Sequence, residues 1–334
     1  MLKKYGILAP GGKYFGCEFL AKAMNTKVTL LSKRVKKIDC KNLFIIGMRG
    51  LSHFAKYFSM ADYNTVAVIF SDTNFCVYHK NCNKIIEKYD LPVYAMPDLH
   101  DYLQCEYVPA FQTIKIPDNI SKEKNDKITI CHSPGKKGVS NIKGTKQIAK
   151  VIRKLKSEFD IEYIEITNKD WIGTIKEKAK SHIFIDQLTY KNPNISQKRF
   201  GGIIRYNGAV GKSGLEGMLL DCCVISGAKL ADTSEYFPNI PVVLTDYYKF
   251  YSNLKTLIED DVLRNNIIQG QKEWASKYIS AAFVVKNLTR HLQKEQKHTI
   301  PAPDDGTTPA PYDGTTPAPY DGTTPAPDDK YLAY

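Results

Sequence analysis

The run Ile128-Thr-Ile-Cys-His-Ser-Pro-Gly-Lys-Lys-Gly-Val-Ser-Asn-Ile-Lys-Gly-Thr-Lys146 changes character twice. Its opening, Ile128–His132, is apolar and β-branched, the composition of a short buried strand. Pro134, Gly135, Gly138 and Gly144 then break any regular element, and the broken segment carries Lys136, Lys137 and Lys143. From Thr145 onward Ile148, Val151, Ile152 and Leu155 share one helical face, which predicts a helix over Thr145–Phe159. Strand, basic glycine loop and helix form the first half of a βαβ unit, the building block of a parallel sheet covered by helices. Lysine ammonium groups beside the N–H groups of a helix start can cradle a diphosphate. The pattern Gly-x-x-x-x-Gly-Lys-Ser/Thr is absent, so this is no Walker A loop. Taken alone, the segment also fits a solvated basic loop.

The same alternation extends both ways. Toward the N-terminus, Tyr5–Ala9, Val28–Leu31, Leu43–Gly47, Thr65–Ser71 and Pro92–Ala95 read as strands. Gly16–Met24, Leu51–Met60 and Asn81–Tyr89 read as helices between them. Ile116–Lys127 has no periodicity and reads as a linker. Toward the C-terminus, Ile161–Ile166, His182–Asp186, Cys222–Ser226 and Val242–Thr245 read as strands. Trp171–Ala179, Gly214–Leu220, Phe250–Ile258, Val262–Tyr278 and Ala281–Gln296 read as helices. Two doubly wound units with a cleft between them follow, with ligands expected beyond the carboxyl ends of the strands. The fold class is α/β. That architecture alone does not fix a chemistry.

A second glycine-rich stretch, Gly208-Ala-Val-Gly-Lys-Ser-Gly-Leu-Glu-Gly-Met-Leu-Leu-Asp-Cys-Cys-Val-Ile-Ser226, repeats the strand-flanked loop-to-helix pattern. Gly208, Gly211 and Gly214 allow a close backbone approach to a phosphate. Glu216 can accept hydrogen bonds from ribose hydroxyls. Ser213 with Glu216 three residues on also reads as a capping box. Asp72, Asp98, His100 and His132 follow or end strands, where acid–base groups are well placed, and each equally suits a turn or cap.

Taken together, His132-Ser-Pro, Lys143-Gly-Thr, Ile183-Phe-Ile-Asp-Gln-Leu188 and Gly211-Lys-Ser-Gly-Leu-Glu-Gly-Met218 resemble the donor half of retaining GT-B glycosyltransferases of the family-4 type (glycosyltransferase group 1). Tyr236–Pro241 and Leu263-Arg-Asn-Asn resemble its closing segments, and Met96–Leu99 with Val108-Pro109 the end of its first domain. The resemblance covers roughly residues 90–280, and Gly11-Gly12 is similar to the family's N-terminal glycine loop. It implies two Rossmann-like domains facing a cleft: an acceptor domain over 1–118 and a donor domain over 119–280. A helix over 281–298 is expected to pack back on the first domain, ahead of a tail over 299–334. Carried over by position, Lys143 holds the donor diphosphate, Lys136 or Lys137 stands where the family has Arg, and Glu216 binds the ribose. Gly211, Ser213 and Gly214 meet the phosphate or sugar. Asp98, Asp72 and His132 are the candidates for an acid or base. The interval from Asp186 to Glu216 is long, and Lys198, Arg199 and Arg205 in it are candidates for acceptor contacts. Two positions depart from the pattern: Gly208 stands where many members have a second Glu, and Gly217 replaces the usual Ala.

Composition narrows the partners. The formal charge is +12, and the segment from 299 onward contributes −5, leaving +17 on residues 1–298. Such a surplus points to an anionic partner or to plain solvated lysines. The resemblance implies a UDP- or GDP-sugar as co-substrate, with no cofactor and no metal required, and the absence of an Asp-x-Asp motif agrees with it. The acceptor is a glycan, glycolipid or protein. Modified bases in DNA are the alternative, as for some viral or phage GT-B enzymes, in which case the enzyme works in the host cytoplasm. A nucleotide-sugar or nucleic-acid binding protein without turnover is a third reading, motivated by Gly208. No apolar run reaches the ~18–20 residues of a membrane span, so a cytoplasmic protein is expected, with peripheral contact at an anionic inner membrane face. The eight cysteines include no Cys-x-x-Cys pair, and Cys131, Cys222 and Cys223 read as core. From Pro301 an eight-residue motif rich in Pro, Thr, Gly and Asp recurs, with too few aliphatic residues to build a core, so disorder is expected. Oligomeric state is not legible.

Overall fold

The structure, a computed structural model, describes residues 3–10, 15–32, 34–70, 75–95, 106–107, 114, 116–134, 143–189, 197–199, 202–204, 210–227 and 240–294. The first domain runs β1 (Lys3–Ala9), α1 (Phe15–Ala23), β2 (Val28–Leu30), β3 (Cys40–Ile46), α2 (Gly47–Tyr57), β4 (Thr65–Phe70), α3 (Phe75–Tyr89), β5 (Val93–Ala95) and β6 (Glu106–Tyr107). Its strands form one sheet in the order β2-β1-β3-β4-β5-β6, with every pairing parallel. The central strands are buried on both faces, as helices above and below a parallel sheet require. Leu8, Leu43, Ile45, Val68 and Phe70 pack on one side; Ile7, Phe44, Ala67 and Ile69 pack on the other.

The second domain runs β7 (Thr129–His132), α4 (Thr145–Lys156), β8 (Glu162–Glu165), α5 (Trp171–Lys180), β9 (Ile183–Leu188), β10 (Gln197–Arg199), β11 (Gly202–Ile204), α6 (Lys212–Leu219), β12 (Cys223–Gly227), β13 (Val243–Leu244), α7 (Phe250–Glu259) and α8 (Asp261–Tyr278). Its sheet, ordered β13-β12-β9-β7-β8, is again wholly parallel. Alternate residues of β9 face opposite layers. Ile183 and Ile185 join Ile148, Ile152 and Leu155 of α4. Phe184 joins Leu215 and Met218 of α6 and Trp274 of α8. Burying each such large apolar side chain contributes about 1.5–3 kcal/mol.

In both sheets the chain winds outward from one pair of strands, β1 with β3 and β7 with β9. Such pairs are topological switch points, where loops leave in opposite directions and open a crevice. A last helix, α9 (Ala281–Lys294), lies against the first domain. There Val284 and Leu288 pack with Ile7, Leu20 and Phe44, and the Tyr94 hydroxyl donates to the Leu288 carbonyl at 3.2 Å. Ahead of β7, Ile114, Ile116 and Ile120 pack on the second domain's core. Lys124 ties that segment down: its ammonium donates to the carbonyls of Ala179, Ser181 and Leu220 at 2.8–3.0 Å. A cation is favourable there because two helix C-termini leave their carbonyls unpaired.

Several boundaries differ from the sequence reading. The helix expected from Leu51 starts at Gly47, and its expected last turn at Met60 is a separate 3₁₀ turn, Met60–Asp62. The helix expected from Asn81 starts at Phe75. The long interval after Asp186, assigned no element from sequence, holds the antiparallel pair β10–β11. Cys131, Cys222 and Cys223 are fully buried, as expected for core thiols. Among the described residues no helix is long and apolar enough to cross a membrane.

Candidate functional site

The switch point of the second sheet gathers charged side chains, whereas the described residues around the β1/β3 switch point of the first are buried and apolar. His132 ends β7 and is fully buried. Its Nδ1–H donates to the Ile185 carbonyl on β9 at 2.8 Å, and its Nε2 accepts from the Thr145 hydroxyl at 2.9 Å. The carbonyl can only accept, so the tautomer is fixed. Burial pushes the imidazole down to about 3, with Lys143 and Lys178 adding to the depression and the Ile185 bond opposing it. Both nitrogens are engaged, so the ring joins β7, β9 and the start of α4.

Gly144 caps α4 in the left-handed conformation, φ 74°, which favours glycine. A Cβ there would also lie 2.5 Å from the Leu188 carbonyl oxygen, so the Lys-Gly-Thr order has a steric reason. Lys143 just before it is 26% exposed. Its ammonium donates to the Ser133 carbonyl at 3.2 Å and stands 4.0 Å from Asp186 Oδ1. Burial lowers its pKa, and Asp186 opposes that shift.

Asp186 lies in β9 and is 1% exposed. Its Oδ2 accepts from the Gly211 N–H and from the Ser226 hydroxyl, both at 3.2 Å. The β9–β12 register shifts between Ile225 and Gly227, at the level of Ser226. Oδ1 accepts no hydrogen bond among the described residues. Burial raises the carboxyl's pKa, against the pull of Lys143, the Gly211 N–H, Lys178 and Ser226.

Above Asp186 sits the start of α6, with Gly211 as its N-cap. As the first residues of the helix, Lys212 and Ser213 have N–H groups without intrahelical partners. A Cβ on Gly214 would meet Val210 Cγ1 at 2.9 Å and Asp186 Cγ at 3.2 Å, so the helix can rest this low only with glycine there. The expected capping box does not form: Ser213 lies inside the helix, and the N-cap is Gly211, which has no side chain to offer. Instead the Ser213 hydroxyl accepts from Lys178 at 2.7 Å.

Lys178 of α5 is fully buried and also donates to Glu216 Oε2 at 2.7 Å. Glu216, 4% exposed, accepts from the Trp171 indole N–H at Oε1, 2.9 Å, with Lys212 Nζ 3.9 Å away. Lys212 reaches over the Trp171 ring, 5.9 Å from its centroid, and burial lowers its pKa. Asp170 sets the start of α5 by accepting from the Gly173 N–H at 2.7 Å. Two helix starts, three lysines and two buried carboxylates thus converge at one strand pair.

Of the residues expected from sequence, the structure brings Lys143, Gly211, Ser213, Gly214, Glu216 and His132 together. Lys198 and Arg199 lie on β10, and their side chains are outside the described residues. Lys136, Lys137, Gly11, Gly12, Asp72, Asp98 and Arg205 fall outside the described residues altogether. Asp186, Lys178 and Trp171 were not singled out from sequence. Among the described residues no group of three or more His, Cys, Asp or Glu is arranged to hold a metal ion.

No protein-family model matches the sequence, and no curated protein does. Solved structures do match in shape. HepE of Anabaena in complex with UDP aligns over 87% of this chain and 100% of its own, with 11% identity and a TM-score of 0.55. The same protein with UDP and glucose gives 86%, 99%, 11% and 0.53. A glycosyltransferase from Rickettsia africae ESF-5 gives 89%, 100%, 11% and 0.52. At this identity the likeness is one of fold. The chain has the GT-B fold, two parallel-sheet α/β domains, and its charged cluster sits at the switch point of the second.

Proposed function

We propose that this chain is a nucleotide-sugar-dependent glycosyltransferase whose donor occupies the β7/β9 switch point. The observation that carries this reading is the meeting of Lys143 with the starts of α4 and α6 at that strand pair. Positive helix ends and an ammonium group suit a diphosphate. UDP, the nucleotide in the HepE structures, is what such a donor leaves behind.

On this reading Lys143 and the N–H groups of Lys212 and Ser213 hold the diphosphate, with Lys136 and Lys137, earlier in the sequence, contributing further positive charge. Negative charge builds on the leaving diphosphate as its bond to the sugar breaks, and fixed positive groups stabilise that charge. Glu216 receives the ribose hydroxyls. A carboxylate offers about four lone-pair positions, so the Lys178 and Trp171 bonds leave room for further donors. Lys178 and Trp171 fix the carboxylate before the donor arrives.

The finer assignments rest on the sequence resemblance: a retaining transfer of a hexosyl group from a UDP- or GDP-sugar, with no metal or cofactor. The acceptor is a glycan, glycolipid or protein hydroxyl, approached from the first domain, where Gly11, Gly12, Asp72 and Asp98 lie. Lys198, Arg199 and Arg205 contact it, in a cytoplasmic setting at an anionic membrane face.

A thermal-shift screen of UDP-, GDP-, ADP- and dTDP-sugars tests the donor site. At 100 times its dissociation constant a true donor stabilises the wild type by about 2.7 kcal/mol. Glu216→Ala is expected to lose that shift. No shift with any of these sugars at millimolar concentration overturns the reading. Radiolabel transfer from the donor so identified, to glycolipid, glycan and DNA in parallel, then decides the acceptor.

A further inference from the structure

Asp186 is a buried carboxylate with one oxygen satisfied twice over and the other without a hydrogen bond among the described residues. The cation facing that bare oxygen, Lys143, is also the group placed to meet a diphosphate. Its ammonium is 4.0 Å away and turned partly to the Ser133 carbonyl. From this geometry, and resting on the donor reading above, we infer that donor binding draws Lys143 off Asp186 and that Asp186 takes up a proton from solvent as the donor binds.

The argument is one of charge. In the free protein Lys143 and Asp186 share one ionisable proton. Held by the amine, it makes an ion pair; held by the carboxyl, it makes a neutral pair. The net charge is the same in both arrangements. A bound diphosphate requires Lys143 as an ammonium ion. Asp186, buried and with its counter-charge redirected, is then costly as an anion and cheaper as an acid. The pair therefore holds two protons when the donor is bound. The neutral carboxyl gains an O–H that can donate from Oδ1 while Oδ2 keeps Gly211 and Ser226.

The charged and titratable groups around Asp186, among the described residues, are Lys143 before α4, Lys178 of α5, Lys212 and Glu216 of α6, and His132 of β7. Lys178 is committed to Glu216 and Ser213, and His132 has both nitrogens bonded. Lys212 stands 3.9 Å from Glu216. Lys143 is the cation nearest the bare oxygen, and Asp186 is its carboxylate partner. Asp186 is accordingly a positioning residue, acting on the donor through Lys143 and the glycine loop.

The test is calorimetry at neutral pH with whichever of UDP-, GDP-, ADP- and dTDP-glucose binds, titrated in phosphate and in Tris. These sugar nucleotides do not titrate near neutrality, so a buffer-dependent heat reports protons moved by the protein. The expected result is uptake of about one proton per donor, with affinity falling up to about tenfold per pH unit as pH rises. Asp186→Asn is expected to bind without proton uptake and without that slope. The asparagine oxygen can serve Gly211 and Ser226 as before, because both bonds go to Oδ2. Equal heats in the two buffers with wild-type protein, or uptake that survives Asp186→Asn, overturn the inference and leave the donor reading standing. Failure of every sugar nucleotide to bind overturns both.

Discussion

The two sheets wind outward from equivalent strand pairs, yet their interiors are built from different chemistry. Around β1 and β3 the chain has buried Ile7, Leu8, Ala9, Phe44, Ile45 and Ile46, and Thr65 is the only buried polar residue of 3–107 among those described. Around β7 and β9 it has buried His132, Lys178, Asp186, Glu216 and Ser226. An apolar interior is specified by volume and pattern, and tolerates exchange within those limits. A charged interior is specified partner by partner, since a buried group that loses its partner is costly. Stability alone would not select the second design. Its presence on one side points to a demand other than folding.

The sharpest break between the two is Lys178→Met against Leu43→Met. Removing the ammonium strands Glu216 and Ser213 and is expected to cost about 3–5 kcal/mol in urea unfolding. The volume-conserving change at Leu43 is expected to cost less than about 1.5 kcal/mol. Both tryptophans, Trp171 and Trp274, lie in the second domain, so their fluorescence follows the Lys178 variant. Equal losses would erase the distinction.

Gly214→Ala refines it within one domain. The added methyl presses on Val210 and Asp186, for an expected loss of about 1–3 kcal/mol and of donor binding. Gly270→Ala on α8 meets no atom within 4 Å and is expected to stabilise by up to about 1 kcal/mol. A melting point lowered by both changes would show that the cost belongs to α-helical context rather than to the floor of the site.

Acid is a gentler probe. His132 has a folded pKa near 3 against an ordinary value of 6.5, so the unfolded chain binds its proton first. The stability from keeping it neutral is full above pH 6.5 and is lost as pH falls toward 3. The slope approaches about 1.4 kcal/mol per pH unit. Denaturant melts from pH 7 down to pH 4 are expected to show this slope, and His132→Gln is expected to lack it. Smallest of all, Lys37→Ala and Lys127→Ala break exposed ion pairs of 2.8 Å, one in each domain. Neither is expected to move a melting midpoint measurably, because exposed pairs contribute little.

Much of this was legible in the chain because the same force wrote both pattern and fold. Short β-branched runs between helical stripes gave the parallel sheets, and Lys143-Gly-Thr145 gave the helix start now seen at α4. What sequence hid is instructive. Lys178 sits between Lys176 and Lys180 in a run that reads as solvated, and only its phase beside buried Ile175 and Ala179 marks it as inward. Asp186 was read as one letter of a motif inside an apolar strand; its burial follows from the α6 start resting on it. The β10–β11 pair escaped because Gln197–Ile204 mixes charge and glycine, with no alternation to betray a strand. The capping-box reading of Ser213 and Glu216 failed because a lysine from another helix outcompeted the local bonds, which no window of neighbouring residues reveals.

Lys124 carries a mechanical consequence. By gripping carbonyls at the ends of α5 and α6 it welds the incoming connector to the second domain, so the chain leaves the first domain before Ile114. The return crossing is equally confined, between α8, which packs on Val224 and Phe184, and α9, which packs on the first sheet. Both crossings are thus fastened on the second domain's side, Lys124 by three carbonyls and Ile279 by the core around Trp274, so a pull on either connection is borne at the ends of α5, α6 and α8 rather than by the groups beneath the β7/β9 crevice.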